Sequence, residues 1–223
     1  MRLVLFLIFA SILCYAQEKN QNSKYRVRGY LGITQNLNSV KQFKLALEEY
    51  TEKRSWLESS PQLSNSVTGF IIGNGFFNGN SYYDLNIFFS NQGTKAKGFS
   101  NYGYSSRTFR IRNIGMAFDY LKTNSYLFNQ IYIGGSLRYC YQSFYSLSDF
   151  NDNWRVDGGH FNLSPKIQYS PSFLKKRVFV DLQFNIPLNQ INISDLEKHI
   201  GTKSTKSYVW PYSFEISLKT SIL

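Results

Sequence analysis

The stretch Val178-Phe179-Val180-Asp181-Leu182-Gln183-Phe184-Asn185-Ile186-Pro187-Leu188 decides the fold. Its even positions Val178, Val180, Leu182, Phe184, Ile186 and Leu188 are all apolar, and Asp181, Gln183 and Asn185 alternate with them. Successive side chains of a strand point to opposite faces, so this period of two makes one face apolar and the other polar. A tilted strand needs about 9–11 residues to cross a bilayer, and the run has that length.

The same pattern recurs outward from it. Tyr25, Val27, Gly29, Leu31 and Ile33 alternate with Arg26, Arg28, Tyr30, Gly32 and Thr34. Tyr83, Leu85, Ile87 and Phe89 oppose Asp84, Asn86, Phe88 and Ser90, and Ile131, Ile133, Leu137, Tyr139 and Tyr141 oppose Ser136, Arg138 and Gln142. Phe161, Leu163, Ile167 and Tyr169 oppose Asn162, Ser164, Lys166 and Gln168; Phe214, Ile216, Leu218 and Ile222 oppose Ser213, Glu215, Ser217, Lys219 and Ser221. Two strands are less clean. Val67 to Phe76 is apolar on both parities, which leaves its outward side open. Between Arg107 and Tyr120 the apolar set shifts from Phe109 and Ile111 to Ile114, Met116, Phe118 and Tyr120, which predicts a bulge near Asn113. The total is eight strands.

Connections read long, short, long, short, long, short, long, the short ones being 77–80, 122–128 and 171–176. Long loops on one side, short turns on the other and an even strand number describe a transmembrane barrel. Aromatic residues, 17% of the chain, suit its interfacial girdles. In the first long loop Val40, Phe43, Leu47, Tyr50 and Leu57 form one apolar stripe, predicting a helix over about 38–59 that packs on the barrel rim, lies on the membrane surface or docks a partner.

The N-terminus sets the compartment. Arg2, the apolar run Leu3 to Leu13 and Cys14-Tyr15-Ala16 read as a signal peptide over 1–16, followed by a short lead at 17–23 and the barrel at 24–223. A lipoprotein signal wants a small residue before its cysteine, and Leu13 stands there. Removing 1–16 leaves Cys140 as the one cysteine, a buried inert thiol with no internal disulfide partner.

These alternating runs resemble the small eight-stranded outer-membrane barrels of the OmpA and OmpX type, and the outer-membrane β-barrel domain of Bacteroidetes, whose signals the ending Tyr15-Ala16-Gln17 also resembles. Such barrels usually end on an aromatic residue, whereas this chain ends Thr220-Ser221-Ile222-Leu223. The resemblance implies an all-β, eight-stranded, antiparallel up-and-down barrel in the outer membrane. Its members include adhesins, enzymes, anchors and secretion accessories, so it implies no single activity.

Motifs for chemistry are weak. His160 and His199 fall in or beside different outside loops, where they read as solvated. Gly73-Asn74-Gly75 imitates a phosphate loop but leads into a strand, so Asn78-Gly79 reads as a hairpin turn. Asp149 to Trp154 begins like a calcium loop, yet Trp154 and His160 replace the required Gly and Glu. No cofactor is implied. In this compartment the net charge of +11 points to anionic lipid and lipopolysaccharide and not to nucleic acid, and Lys95, Lys97, Lys203 and Lys206 in outside loops read either as contacts to those anions or as a solvated face.

The leading expectation is a non-enzymatic outer-membrane barrel with a packed lumen and a structural or surface-interaction role, which includes an accessory subunit of an envelope complex. A soluble periplasmic or secreted barrel binding an apolar ligand and a lipid-modifying barrel enzyme stay open. An eight-stranded barrel is only wide enough for side chains to fill, so inward charges must meet one another. On the inward parity stand Arg26, Arg28, Arg138 and Lys166 as cations, with Asp84, Asp119, Asp181 and Glu215 as anions.

Overall fold

In the computed structural model the described residues are 25–37, 41–101, 103–123, 130–149, 153–171, 177–192, 194–195, 199 and 208–222. The expected signal peptide and lead lie outside them. The elements are β1 (Tyr25–Leu37), α1 (Lys41–Glu52), β2 (Leu57–Ser59), β3 (Ser66–Asn78), β4 (Ser81–Ser100), β5 (Gly103–Thr123), β6 (Ile131–Ser148), β7 (Trp154–Tyr169), β8 (Val178–Pro187), β9 (Ile191–Asn192), β10 (Tyr208–Val209) and β11 (Ser213–Ser221).

Eight of these strands form one closed antiparallel ring, β4-β3-β1-β11-β8-β7-β6-β5 and back to β4. Over the span that all eight strands share, closure leaves no open edge, which is what lets a sheet sit where no water can bond its backbone. The seam between the chain's two ends runs from Tyr30↔Ser221 to Leu37↔Phe214. Asn78 pairs with Ser81, leaving a two-residue turn in which Gly79 takes φ 57°, a conformation that costs glycine little.

Parity divides the ring cleanly. Leu85, Ile114, Phe118, Leu137, Leu163, Leu182, Ile216 and Leu218 are exposed outward, while Asp84, Asp119, Arg138, Lys166, Asp181 and Lys219 are buried inward. On β3 the inward residues are Val67 and Ile71, and Phe70, 65% exposed, faces out with Ile72. Gly75 is inward too, where a Cβ would overlap the Tyr82 ring.

The structure corrects the bulge expected near Asn113. β5 pairs without a shift with β4 and with β6 over its length, and its odd residues stay inward throughout. What changes along the strand is the surroundings. Ile114 to Tyr120 put their apolar side outward, whereas farther up Phe109 and Ile111 turn inward under α1, and Arg110 and Arg112 face out.

The loop lengths are corrected as well. β4 and β5 run on, paired, to Ser100↔Gly103, so the second connection is a hairpin extension, and Lys95 and Lys97 are exposed strand residues instead of loop residues. β6 likewise reaches Ser148 and β7 begins at Trp154. At 20 and 21 residues, β4 and β5 exceed the ~9–11 that a bilayer crossing uses, so they overhang one rim.

The helix is shorter than expected, ending at Glu52. Arg54 N–H bonds the Thr51 carbonyl and Leu57 N–H bonds the Arg54 carbonyl, turning the chain so that Leu57 joins β2, opposite Gly98 of β4. Phe43, Leu47 and Tyr50 pack on Phe109, Ile111, Phe144 and Trp154 inside the overhang. Phe43 and Phe144 stack at 4.9 Å, and α1 thereby covers the mouth.

Candidate functional site in the barrel lumen

The lumen is filled in layers. At the end that carries the termini, Tyr82, Leu121 and Tyr132 are buried together with Phe77 against them. Phe179 is also fully buried there, its ring 6.3 Å from that of Tyr82.

Above this layer the charges meet. Lys166 of β7 reaches across to pair with Asp119 of β5, and its Nζ lies 2.8 Å from Asp181 Oδ2. In the β7–β8 register Lys166 stands opposite Gln183 and Gln168 opposite Asp181, so Lys166 and Asp181 are diagonal neighbours. Lys219 of β11 lies 2.8 Å from Asp181 and 2.9 Å from Asp84. Tyr30 donates to both oxygens of Asp84 at 2.6 Å. One chain of contacts, Asp119–Lys166–Asp181–Lys219–Asp84–Tyr30, therefore ties β5, β7, β8, β11, β4 and β1 together. Farther up, Arg138 Nη1 donates at 2.9 Å to Glu215 Oε2 and at 3.0 Å to Asn185. Its guanidinium also lies 4.1 Å over the Phe88 ring.

Of the inward charges read from sequence, the structure brings together Asp84, Asp119, Arg138, Lys166, Asp181 and Glu215. Arg28 is half-buried near the terminal end, its guanidinium 5.4 Å over Phe77. The Arg26 side chain lies outside the described residues, as do Lys203 and Lys206. Sequence reading missed Lys219 as a member of the network. Its signal was present, because Lys219 shares the parity of Glu215 and Ser217.

Between the network and α1 lies a polar cavity of about 30 Å³ lined by Asn36, Asn113, Arg138, Cys140, His160 and Asn162, among others. Among the described residues Asn113 Oδ1, Asn162 Oδ1, His160 Nδ1 and Arg138 Nε find no hydrogen-bond partner there. A polar space of this size accommodates a water or two. His160 is therefore a buried lumen residue opposite Cys140 and not a solvated loop residue. His199 stacks on Trp154 at 5.0 Å. Among the described residues neither histidine bonds a serine or a carboxylate, and no three His, Cys, Asp or Glu side chains converge as a metal site requires.

A closed eight-stranded up-and-down ring, apolar outside and ionic within, is the fold of an outer-membrane β-barrel. Among solved structures the chain is similar to Ail, the attachment invasion locus protein of Yersinia pestis, determined in complex with the heparin analogue sucrose octasulfate. Identity is 10% and the TM-score 0.43, covering 87% of this chain and 96% of that one. A second structure of Ail gives 10% identity and a TM-score of 0.40 over 87% and 95% of the two chains. No family model and no curated protein matches. Values this low leave the fold assignment resting on the chain's own geometry.

Proposed function

We propose that the chain is exported by its first 16 residues and works as a non-enzymatic integral outer-membrane barrel with a closed lumen, presenting its helix-capped rim at the cell surface. The observation that carries this reading is the direction of the parity. Large apolar side chains line the outside of the ring, and Lys166, Lys219 and Arg138 span its interior to reach carboxylates on other strands. A soluble barrel built to hold an apolar ligand needs the opposite arrangement, with charges facing water and the apolar parity inside.

The outer face also supports a lipid setting energetically. Exposed apolar surface of this extent is costly in water and favourable in hydrocarbon, at about 25 cal/mol per Å². The overhanging β4–β7 sheet and α1 form a continuous surface on one rim, the part of such a barrel available to envelope partners.

Fractionation tests the reading. The protein should stay with the outer membrane through salt and carbonate washes, require detergent for release, and migrate differently on gels before and after boiling. Release by salt with no heat-dependent shift would overturn it. In a planar bilayer the inserted protein should give no steady conductance steps, and sustained steps would mean the lumen is open.

A further inference from the structure

Just above the apolar belt, the outward faces of β4, β5 and β7 carry basic residues. On β5 the run of outward apolar residues that begins at Tyr120 breaks after Ile114, and Arg112 and Arg110 occupy the next two outward positions, both exposed, before Tyr104 near the hairpin tip. The register sets Arg112 between Asn91 and Ser143, and Arg110 between Gly93 and Tyr145. Arg155 of β7 is opposite Tyr145, and Lys95 and Lys97 continue the face on β4.

These cations are grouped around one ring. The Arg112 guanidinium lies 5.5 Å from the Tyr145 centroid and that of Arg155 lies 4.9 Å from it. Attraction to the ring quadrupole holds both guanidinium groups despite their mutual repulsion. Of the carboxylates nearby, Asp157 accepts from Arg155 Nε at 2.6 Å and so offsets that one cation, and Asp149 accepts from Ser106 N and Oγ. Among the described residues neither Arg110 nor Arg112 forms an ion pair, which leaves the face with a surplus of positive charge.

Depth favours a lipid-borne anion over a soluble one. A strand advances ~3.3 Å per residue and tilts by roughly 35–45°, so Arg112 stands about 5 Å and Arg110 about 10 Å above Ile114. The headgroup layer begins where the hydrocarbon ends and is about 5–8 Å thick. A lipid lying along Ile114 and Phe161 thus carries its head to the arginines. Phosphate is the head chemistry that guanidinium groups recognise best, through paired N–H donors.

We propose that Arg110 and Arg112, gathered with the Asp157-paired Arg155 about Tyr145 and with Lys95 and Lys97 beside them, bind the phosphates on the saccharide head of an outer-leaflet glycolipid. This rests on the outer-membrane reading above, and the test separates the two.

Wild type and an Arg110→Gln/Arg112→Gln double variant are inserted into nanodiscs of neutral phosphatidylcholine doped with bisphosphorylated lipid A, with its dephosphorylated form, or with phosphatidylglycerol. Retention of each lipid around the barrel is then measured. Wild type should prefer bisphosphorylated lipid A over both other dopants. The double variant should lose about fivefold of that preference per arginine, roughly 25-fold together, and Arg110→Lys/Arg112→Lys should keep most of it. Free inorganic phosphate at millimolar concentration should not displace the lipid. Equal retention by the Gln variant, or equal retention of dephosphorylated lipid A or of phosphatidylglycerol, would overturn the site. So would displacement by phosphate, which would make it a site for soluble anions. Failure of wild type to insert at all would overturn the membrane reading itself.

Discussion

Lys219, on the strand that closes the ring, lies 2.9 Å from Asp84 of β4, and both side chains are completely buried. The contact crosses the lumen, since β11 and β4 are separated in the ring by β1 and β3. It links charges far apart in sequence, and Asp181 extends it to Lys166.

Replacing Lys219 with Met should destabilise the barrel by at least about 3–5 kcal/mol, because Asp84 and Asp181 each lose a cation while staying buried. The more isolated Arg138–Glu215 pair gives a cleaner cycle. Arg138→Met or Glu215→Leu alone should cost about 3–5 kcal/mol, and the double variant far less. Urea unfolding in detergent, followed by the heat-dependent gel shift, reads these values. Additive losses would mean that the pair does not interact in the folded barrel.

Gly75→Ala should destabilise by about 1–3 kcal/mol although its backbone conformation suits alanine, since the added methyl meets the Tyr82 ring. Tyr82 cannot swing aside, being packed against Phe77, Tyr132 and Phe179. Adding Tyr82→Leu should recover part of the loss. A neutral Gly75→Ala would show that the terminal layer is loose.

Leu47→Ala should cost about 2–5 kcal/mol in docking of α1, which buries that side chain almost completely against the overhang. Amide exchange should accelerate over residues 41–52 while the ring from β3 to β8 keeps its protection. Equal acceleration throughout would mean that helix and barrel unfold as one unit.

Much of this architecture was legible in sequence because a strand's period is insensitive to what surrounds it. The eight strands, the outward set on β8 and the inward Lys166 and Asp181 follow from parity alone. Difficulties arose where the surroundings change along one strand. On β5 the apolar set changes sides because the inward face meets α1 above and charges below, and a single-environment reading converts that into a bulge. The hairpin extension carrying Lys95 and Lys97 is polar outward and reads as loop for the same reason. The Gly158-Gly159 pair before His160 has the composition of a turn, yet both glycines lie within β7 and carry His160 into the lumen. Which strands face one another across the lumen depends on closure, so the partners of Lys219 could not be read from spacing.

The most direct measurement is a label scan of β5 from Arg110 to Leu121 with the protein in lipid bilayers, each position carrying one spin label and probed with a lipid-soluble and a water-soluble quencher. Quenching from lipid should peak at Met116 and Phe118, fall away by Arg112 and Arg110, and keep even parity through Asn113, while labels at Ala117 and Asp119 should be shielded from both quenchers. Water-soluble quencher reaching Met116 and Phe118, or freely reaching Ala117 and Asp119, would contradict a bilayer-spanning barrel with a packed interior.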